Sequence, residues 1–453
     1  MARQILIIGG ASAGPSAAAK ALRVNPGSEA VLFEQGEHIS YGICEVPYYI
    51  AGDIREESRL IVYTPEELRR KKGVHVKTFH RVEEISAVKK IVSARDLRTG
   101  RGTDYRYDAL IYCAGSKSRR LGLDGENARN VFSVKTLEDG LNIKKYIREA
   151  EPRLAVIIGG GYIGMEMAEA LTRNNVDVTL VHQHAMPMVG LEIEFRERVV
   201  EELRKNGVHF IPEARTSSLV EDKTGKVTHI VTDRGTFAAD IVILSLGVEP
   251  NVELARRAGI AVGKTGAVKA DERQLTNVDS VYAAGDCCEV RNIVSGQPMY
   301  LPLATVASKS AWTAGENAAG GSARFKGAVR AIAVKVFDLE VAQVGLGSAE
   351  AEEGGFDVTT TMITGKSKAG IMPGSEDVTV KLIIDRRSRK LLGANVMGND
   401  GAVLRANTLA VAVQQRLTVD ELTQLDLVYA PPFAPLWDPI LIAANVSKRQ
   451  FND

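Results

Sequence analysis

The sequence predicts an α/β protein with two Rossmann-like dinucleotide-binding domains followed by a C-terminal α+β domain. Two stretches, "QILIIGGASAGPSAAAKALR" and "LAVIIGGGYIGMEMAEALTR", each pass from an apolar strand pattern through a glycine cluster into an Ala-rich helical pattern. Each is followed by a further strand pattern, "EAVLFEQ" and "DVTLVHQ", so each opens a βαβ unit. After Arg324 the pattern changes. "AIAVKVFDLEVAQVGL", "FDVTTTMITG" and "DVTVKLIIDRRSRKLLGANVMG" read as strands joined by turns, and "DGAVLRANTLAVAVQQRL" and "TVDELTQL" read as helices. Strands followed by helices imply a largely antiparallel sheet. A length of 453 residues suits this division, with boundaries expected near residues 120, 248 and 325.

Bulk composition excludes several function classes. The formal net charge is +1, with 25% charged and 45% hydrophobic residues, so no general attraction to nucleic acid or membrane is expected. Four cysteines are too few for a disulfide scaffold and fit a reducing cytoplasm. The apolar run in "MARQILIIGG" is too short for a signal peptide core. No run is long enough for a transmembrane helix, and no metal site is expected.

In the first glycine cluster, Gly9, Ala11 and Gly14 hold the G-x-G-x-x-G spacing with alanine in the middle. The first position permits the tight turn, the middle one close approach of a pyrophosphate, and the last helix packing on the strand. The helix start then offers free N–H groups to phosphate. Glu34 ends the next strand, where a carboxylate accepts hydrogen bonds from ribose hydroxyls. Later, "TNVDSVYAAGDCCEV" ends an apolar strand in Gly285-Asp286. A carboxylate there suits a ribityl hydroxyl, which favours FAD for the first unit.

The second cluster, Gly159, Gly161 and Gly164, matches without substitution. Its following strand ends at His182, where an NAD-preferring site places an acid that binds the 2′-hydroxyl and repels a 2′-phosphate. His182 or His184 would meet that phosphate if protonated. NADH and NADPH both stay open.

Cys44 stands alone in "HISYGICEVPYYIAG". Pro47 suits a first helical turn, which puts Cys44 near a helix start. That position is expected to lower the thiol pKa, with Glu45 acting the other way. Cys113 ends the strand in "ALIYCAGS" and is expected in a core, and a vicinal Cys287–Cys288 disulfide is not expected. A single nucleophilic cysteine has no internal dithiol to cycle through. It must form a mixed disulfide, a persulfide or a sulfenic acid.

Together, "IIGGASAG", "SYGICEVPYYIAGD", "VIIGGGYIGMEMAE", "VILSLGVEPN", "VYAAGD", "LPLATVASKSAWTAGENAAG", "MPGSEDVTVKLIID", "LLGANVMG" and "VYAPPFAPLWDP" make the chain resemble a pyridine nucleotide–disulfide oxidoreductase. It resembles the single-cysteine branch: coenzyme A-disulfide, persulfide and polysulfide reductases, and NADH oxidases and peroxidases. The resemblance spans essentially the whole chain. It implies an FAD domain of residues 1–120 and 248–324, an NAD(P)H domain of residues 121–247, and a dimerisation domain of residues 325–453. It also implies a homodimer whose active sites borrow residues from the partner chain.

Carried over residue by residue, the resemblance makes Cys44 and Tyr429 catalytic. Tyr429 would protonate or stabilise a departing thiolate. Ala304, in "LPLATVAS", joins the FAD contacts. Ser40, Lys20, Arg23 and Lys71 fall at positions that meet a coenzyme A substrate, Arg and Lys being suited to its phosphates. Ser12 stands where oxidases and peroxidases of this type carry a histidine in the first glycine loop, which argues against a peroxidase. Ile43, Glu45, Ile371 and Met372 depart from the pattern around the sulfur.

The implied activity is FAD-dependent NAD(P)H reduction of a small disulfide or persulfide, such as coenzyme A disulfide, coenzyme A persulfide or polysulfide. The rivals are an NADH oxidase or peroxidase with Cys44 cycling through sulfenic acid, and a flavoprotein redox sensor.

Overall fold

The apolar run Gln4–Ile8 is the middle strand of a five-stranded parallel sheet in the order 281–283, 109–112, 4–8, 29–33, 75–77. A parallel strand covered on both faces must be apolar on both, and Ile5, Leu6, Ile7 and Ile8 are all buried. One face is covered by helices Ala13–Val24 and Ala304–Ala318. Small residues let the two helices close on each other: Ala17, Ala18 and Ala21 are buried with Ala311, Ala314 and Ala318. A Cβ added at Gly315 would strike the Ala17 backbone. The other face is covered by an antiparallel meander of strands 80–86, 91–96 and 102–106, which brings Ile85, Val92 and Ala94 against Leu6 and Ile8. The computed structural model describes residues 2–451.

The second unit repeats this plan. Its parallel sheet runs 209–211, 177–181, 154–158, 241–244, 131–133. It too carries an antiparallel meander, of strands 216–221, 227–232 and 235–238. The repeat signalled by the glycine clusters therefore extends to the meanders, which the hydrophobic pattern did not announce.

The C-terminal part is a five-stranded antiparallel sheet, in the order 332–336, 339–345, 391–398, 377–385, 358–366. Helices Ala402–Gln414 and Pro439–Lys448 pack on it. Between them lies a buried ion pair, Arg405 Nε to Asp438 Oδ2 at 2.9 Å. Arg405 also donates to the carbonyls of Gly401 (2.9 Å) and Ser367 (2.6 Å). Asp438 in turn caps the last helix by accepting from the Ile440 N–H at 3.0 Å.

Two polar clasps join this sheet to the second unit. Lys381, buried, lies between Glu192 (2.8 Å) and Glu194 (2.9 Å). Glu169, also buried, accepts from Lys335 Nζ at 2.5 Å and from the Phe337 N–H at 3.0 Å. Among the described residues, no helix is long and apolar enough to cross a membrane. No group of acidic, histidine or cysteine side chains among them is placed to hold a metal ion.

Breaking a buried pair by removing one partner leaves the other charge uncompensated. Asp438→Ala is therefore expected to destabilise the C-terminal domain by about 3–5 kcal/mol, the range for such a loss. Asp438→Asn, which keeps an oxygen for the cap, should cost less. Thermal and urea unfolding of the two variants beside the parent checks the order.

Candidate active site

The two glycine turns have the same geometry. Gly9 (φ +104°) and Gly159 (φ +113°) lie where side chains are strained. A Cβ at Gly9 would strike the Cys113 carbonyl oxygen, and one at Gly159 the Ser245 carbonyl oxygen. Gly14 and Gly164 are pressed equally hard against the carbonyls of Gly9 and Gly159. The middle positions face open space: Ala11 is exposed, and nothing lies within 4 Å of a Cβ built at Gly161. Neither helix start has a side-chain cap, at Ser12 or at Gly161. Their N–H groups are left for a ligand, and phosphate suits them.

Glu34 and His182 occupy matching places beyond these turns. Glu34 accepts the Gly10 N–H and the Gly36 N–H, both at 2.7 Å. Burial raises its carboxyl pKa, and those N–H groups oppose the rise. His182 Nδ1 accepts the Gly160 N–H at 3.1 Å. Burial foremost, then His184 and Arg196, push the His182 imidazole down to about 4. It is neutral at physiological pH, so the protonated clamp expected of His182 is corrected: burial takes away the charge it would need. Arg196 does not replace it, because its guanidinium donates to the carbonyls of Pro187 (3.0 Å) and Met186 (2.8 Å).

Gly285 (φ +83°) brings the later chain against the first turn, where a Cβ would stand 2.9 Å from Ala13 Cβ. Asp286 follows and accepts from the Ser116 hydroxyl (3.0 Å) and Lys135 Nζ (2.9 Å). Ala304 opens the neighbouring helix, again without a side-chain cap. A cradle of two uncapped helix starts, a fixed carboxylate at Glu34 and a second at Asp286 fits a flavin dinucleotide.

Cys44 is tied to both nucleotide units. Ser40, at φ +49°, donates its N–H to the Gly10 carbonyl at 2.8 Å, and its own carbonyl accepts from Val62. The helix Val46–Ala51 begins two residues after Cys44, with Pro47 in its first turn and Gly52 ending it. Its far end hangs on the second unit. Asn174 (2.9 Å) and Lys144 (2.6 Å) donate to the Ile50 carbonyl, and Arg173 makes two hydrogen bonds of 2.6 Å to Asp53.

Of the four cysteines, Cys44 is exposed and Cys113, Cys287 and Cys288 are buried and free, the last two with sulfurs 3.7 Å apart. The Cys44 thiol pKa is raised, first by burial against the surrounding walls, then by Glu45, Glu166 and Asp286, with Lys135 opposing. The expected lowering by the helix start is corrected. Cys44 precedes the cap of a six-residue helix whose N-cap is itself a glutamate, and burial, then the carboxylates, outweigh so short a dipole.

Lys135, Glu166 and Tyr48 are the polar groups of this site that sequence reasoning missed. Burial first, then Glu169, raises the Glu166 carboxyl to about 7, with a hydrogen bond from Tyr48 opposing. Tyr48 is itself pushed up to about 12, chiefly by burial and then by Glu166. The available signal was "MEMAE" in the second glycine helix, which sets two acids three residues apart within an otherwise apolar run.

The basic residues expected at a substrate's nucleotide end are placed as follows. Lys20 pairs with Glu316 at 2.8 Å, Arg23 lies over the Trp312 ring at 5.9 Å, and Lys71 pairs with Glu67 at 3.0 Å. Arg69, Arg70 and Lys72 are exposed on the same short helix as Lys71. Tyr429 lies half-exposed in the loop before the last helix, among exposed Val428, Phe433, Leu436 and Trp437. Ile371 is almost wholly exposed, at 93%.

Two dinucleotide cradles flanking one exposed thiol define an oxidoreductase that uses a flavin and a pyridine nucleotide. The chain belongs to the family "Pyridine nucleotide-disulphide oxidoreductase", matched over residues 3–311, and residues 332–439 match that family's dimerisation domain. FAD and NAD(P)H are the cofactors of this family. The chain is 34% identical to the NAD(P)H coenzyme A polysulfide/persulfide reductase of Pyrococcus horikoshii over 449 residues, 99% of each chain. It is similar in structure to the reduced CoADR-RHD of Bacillus anthracis (TM-score 0.96, 31% identity, covering 100% of this chain and 81% of that one). A NAD-dependent persulfide reductase from A. fulgidus is similar as well (TM-score 0.95, 32% identity, 99% and 83%).

With Glu45 raising the thiol pKa, Glu45→Gln is expected to lower it. Iodoacetamide alkylation of reduced Cys44 should then run faster near pH 7.5, because a larger fraction of the thiol is ionised. The alkylation rate of either protein should still climb as pH rises beyond the ordinary thiol range. A rate profile from pH 6 to 10, read by mass spectrometry, checks both statements.

Proposed function

We propose that the protein is a cytoplasmic, homodimeric, FAD-dependent NAD(P)H oxidoreductase that reduces a low-molecular-weight disulfide or persulfide through Cys44. Coenzyme A disulfide, coenzyme A persulfide and polysulfide are the substrate class. The observation that carries this reading is the single exposed thiol, Cys44, with every other cysteine buried. A lone thiol takes its second sulfur from the substrate. The relatives named for coenzyme A, polysulfide and persulfide reduction support the same class.

In this reading, residues 1–120 and 248–324 hold FAD, residues 121–247 hold NAD(P)H, and residues 325–453 pair two subunits. Gly9, Ala11, Gly14, Glu34, Gly285, Asp286 and Ala304 form the flavin cradle. Gly159, Gly161, Gly164 and His182 form the nucleotide cradle. FAD held there would supply the electron transfer between NAD(P)H and sulfur.

The chain's own groups do the rest. Cys44 attacks the substrate sulfur as a thiolate and holds the product as a mixed disulfide or persulfide. Lys135 opposes the carboxylates around the sulfur and so favours the charged thiolate. Glu166, pushed up to about 7, is poised to hold or release a proton near neutral pH. Tyr429 of the partner subunit hydrogen-bonds the departing thiolate. Lys20, Arg23 and Lys71, with Ser40, line the approach for a phosphate-bearing thiol. The exposed apolar loop around Tyr429 supports its burial against a second copy.

Cys44→Ser is expected to lower NAD(P)H consumption with coenzyme A disulfide, coenzyme A persulfide and polysulfide by at least about a hundredfold, the scale for loss of a nucleophile. The parent incubated with substrate should carry a thiol or sulfur adduct at Cys44 in its intact mass. Undiminished turnover in Cys44→Ser on all three substrates would sink the proposal. Added oxygen alone at Cys44, with oxygen-dependent NADH consumption, would replace it with an oxidase. Tyr429→Phe should cost about a hundredfold in kcat with the dimer intact, the low end of general acid catalysis.

A further inference from the structure

Glu45 stands beside the nucleophile without a structural task of its own. It holds the N-cap position of the helix Val46–Ala51, yet its backbone is already helical (φ −85°, ψ −11°) and its side chain makes no cap bond. Among the described residues its carboxylate has no ion-pair or hydrogen-bond partner. The side chain folds back over Gly42, where an added Cβ would strike the Glu45 carboxylate. Gly42 thus leaves the room in which this charge sits, against the segment that carries the thiol. Cys44 and Glu45 are both exposed.

The other charges that act on the sulfur are already answered. Asp286 accepts from Lys135 Nζ at 2.9 Å and from the Ser116 hydroxyl at 3.0 Å. Lys135, the cation acting on the thiol, is held by that same bond. Glu166 is raised to about 7, by burial first and then by Glu169, so near pH 7 about half of it is uncharged. Glu45 is the exposed and unanswered charge at the mouth of the site. The candidate substrates differ in charge at the atoms that react. The S–S bond of a disulfide is uncharged: the Cys44 thiolate attacks one sulfur, the S–S bond breaks, and the other sulfur leaves as a thiolate. A polysulfide is an anion along its sulfur chain, and a persulfide ionises to one near neutral pH. Each of these brings negative charge to the reacting sulfur, where a carboxylate repels it.

Resting on the reading that Cys44 reduces small sulfur compounds, we infer that Glu45 is a specificity-determining residue. Its carboxylate turns the thiol away from anionic sulfur, polysulfide and ionised persulfide, and toward the uncharged S–S bond of a disulfide.

The test treats the purified, reduced holoenzyme with sulfonatoethyl, hydroxyethyl and trimethylammonioethyl methanethiosulfonate, which are an anion, uncharged and a cation. Each turns the Cys44 thiolate into a mixed disulfide and releases methanesulfinate, while Cys113, Cys287 and Cys288 are buried. Rates are read from intact mass and divided by those with free 2-mercaptoethanol. All three reagents meet the same thiolate, so its degree of ionisation cancels from their ratios. In the parent the anion should react about fivefold slower than the uncharged reagent and the cation about fivefold faster, the scale of one unit charge at about 4 Å in water. Glu45→Gln should bring both ratios toward one by about that factor, and so should about 1 M salt in the parent. Anion and cation reacting alike in the parent at low salt overturn the inference. So do unchanged ratios in a folded, flavin-loaded Glu45→Gln. Where that variant fails to fold, the parent's ratios at low and high salt decide. The expected ratios in a protein that turns over no sulfur substrate would overturn the proposed activity and leave charge selection at Cys44 standing. Turnover of coenzyme A disulfide with parent ratios near one would do the reverse.

Discussion

Val46 lies so close to Gly140 that no side chain fits between them, since a Cβ on Gly140 would strike Val46 Cγ1. That contact sets the helix behind Cys44 against the first helix of the second unit. The other bonds of the site act around it. Ser40 fastens the segment before the cysteine to the first glycine turn, and Asn174, Lys144 and Arg173 fasten the end after it to the second unit. In the proposed role, a thiol that must meet electrons from one unit and a substrate from solvent cannot ride on a loop free to move. Here a six-residue helix, too short to be stable alone, is made rigid by its neighbours.

The same neighbours set the chemistry of the sulfur. Holding the helix against the second glycine helix places Glu166 beside Tyr48 and near Cys44, and the flavin cradle contributes Asp286. Burial first, and then these acids with Glu45, favour the protonated thiol, and Lys135 opposes them. Lys135 is itself bonded to Asp286, so part of its charge is already spent on that carboxylate. A thiol of raised pKa is a smaller fraction thiolate but a stronger nucleophile once ionised. The balance between these effects is held by residues from three separate stretches of chain, at 44–48, 135 and 166, together with Asp286.

What could be read from the sequence was what is dictated locally. Gly9, Gly14, Gly159 and Gly164 are needed because carbonyl oxygens occupy the space of a side chain, and spacing along the chain reveals that. The strands after Arg324 follow their alternation and turns. The meanders did not show, because strands such as His80–Ser86 are mostly half-exposed and mix charges with apolar residues. The state of Cys44 did not show either. Its nearest sequence features are a helix start and Glu45, while Glu166, Asp286 and Lys135 arrive from distant positions. His182 was legible as a place but not as a charge, because only the packing of Pro187 and Gly160 reveals how deeply the ring is buried.

The second cradle departs from the first at one residue without losing its shape. In each unit a side chain at the strand end accepts the N–H of the second turn residue. A carboxylate and an imidazole both meet that structural requirement, as Glu34 and His182 demonstrate. They differ in what remains for the ligand. Glu34 gives its second oxygen to the Gly36 N–H, whereas His182 brings a ring that burial keeps neutral. The requirement of the fold is thus separable from the requirement of the ligand at this position. Either side chain can supply the accepting group that the turn requires while carrying a different charge.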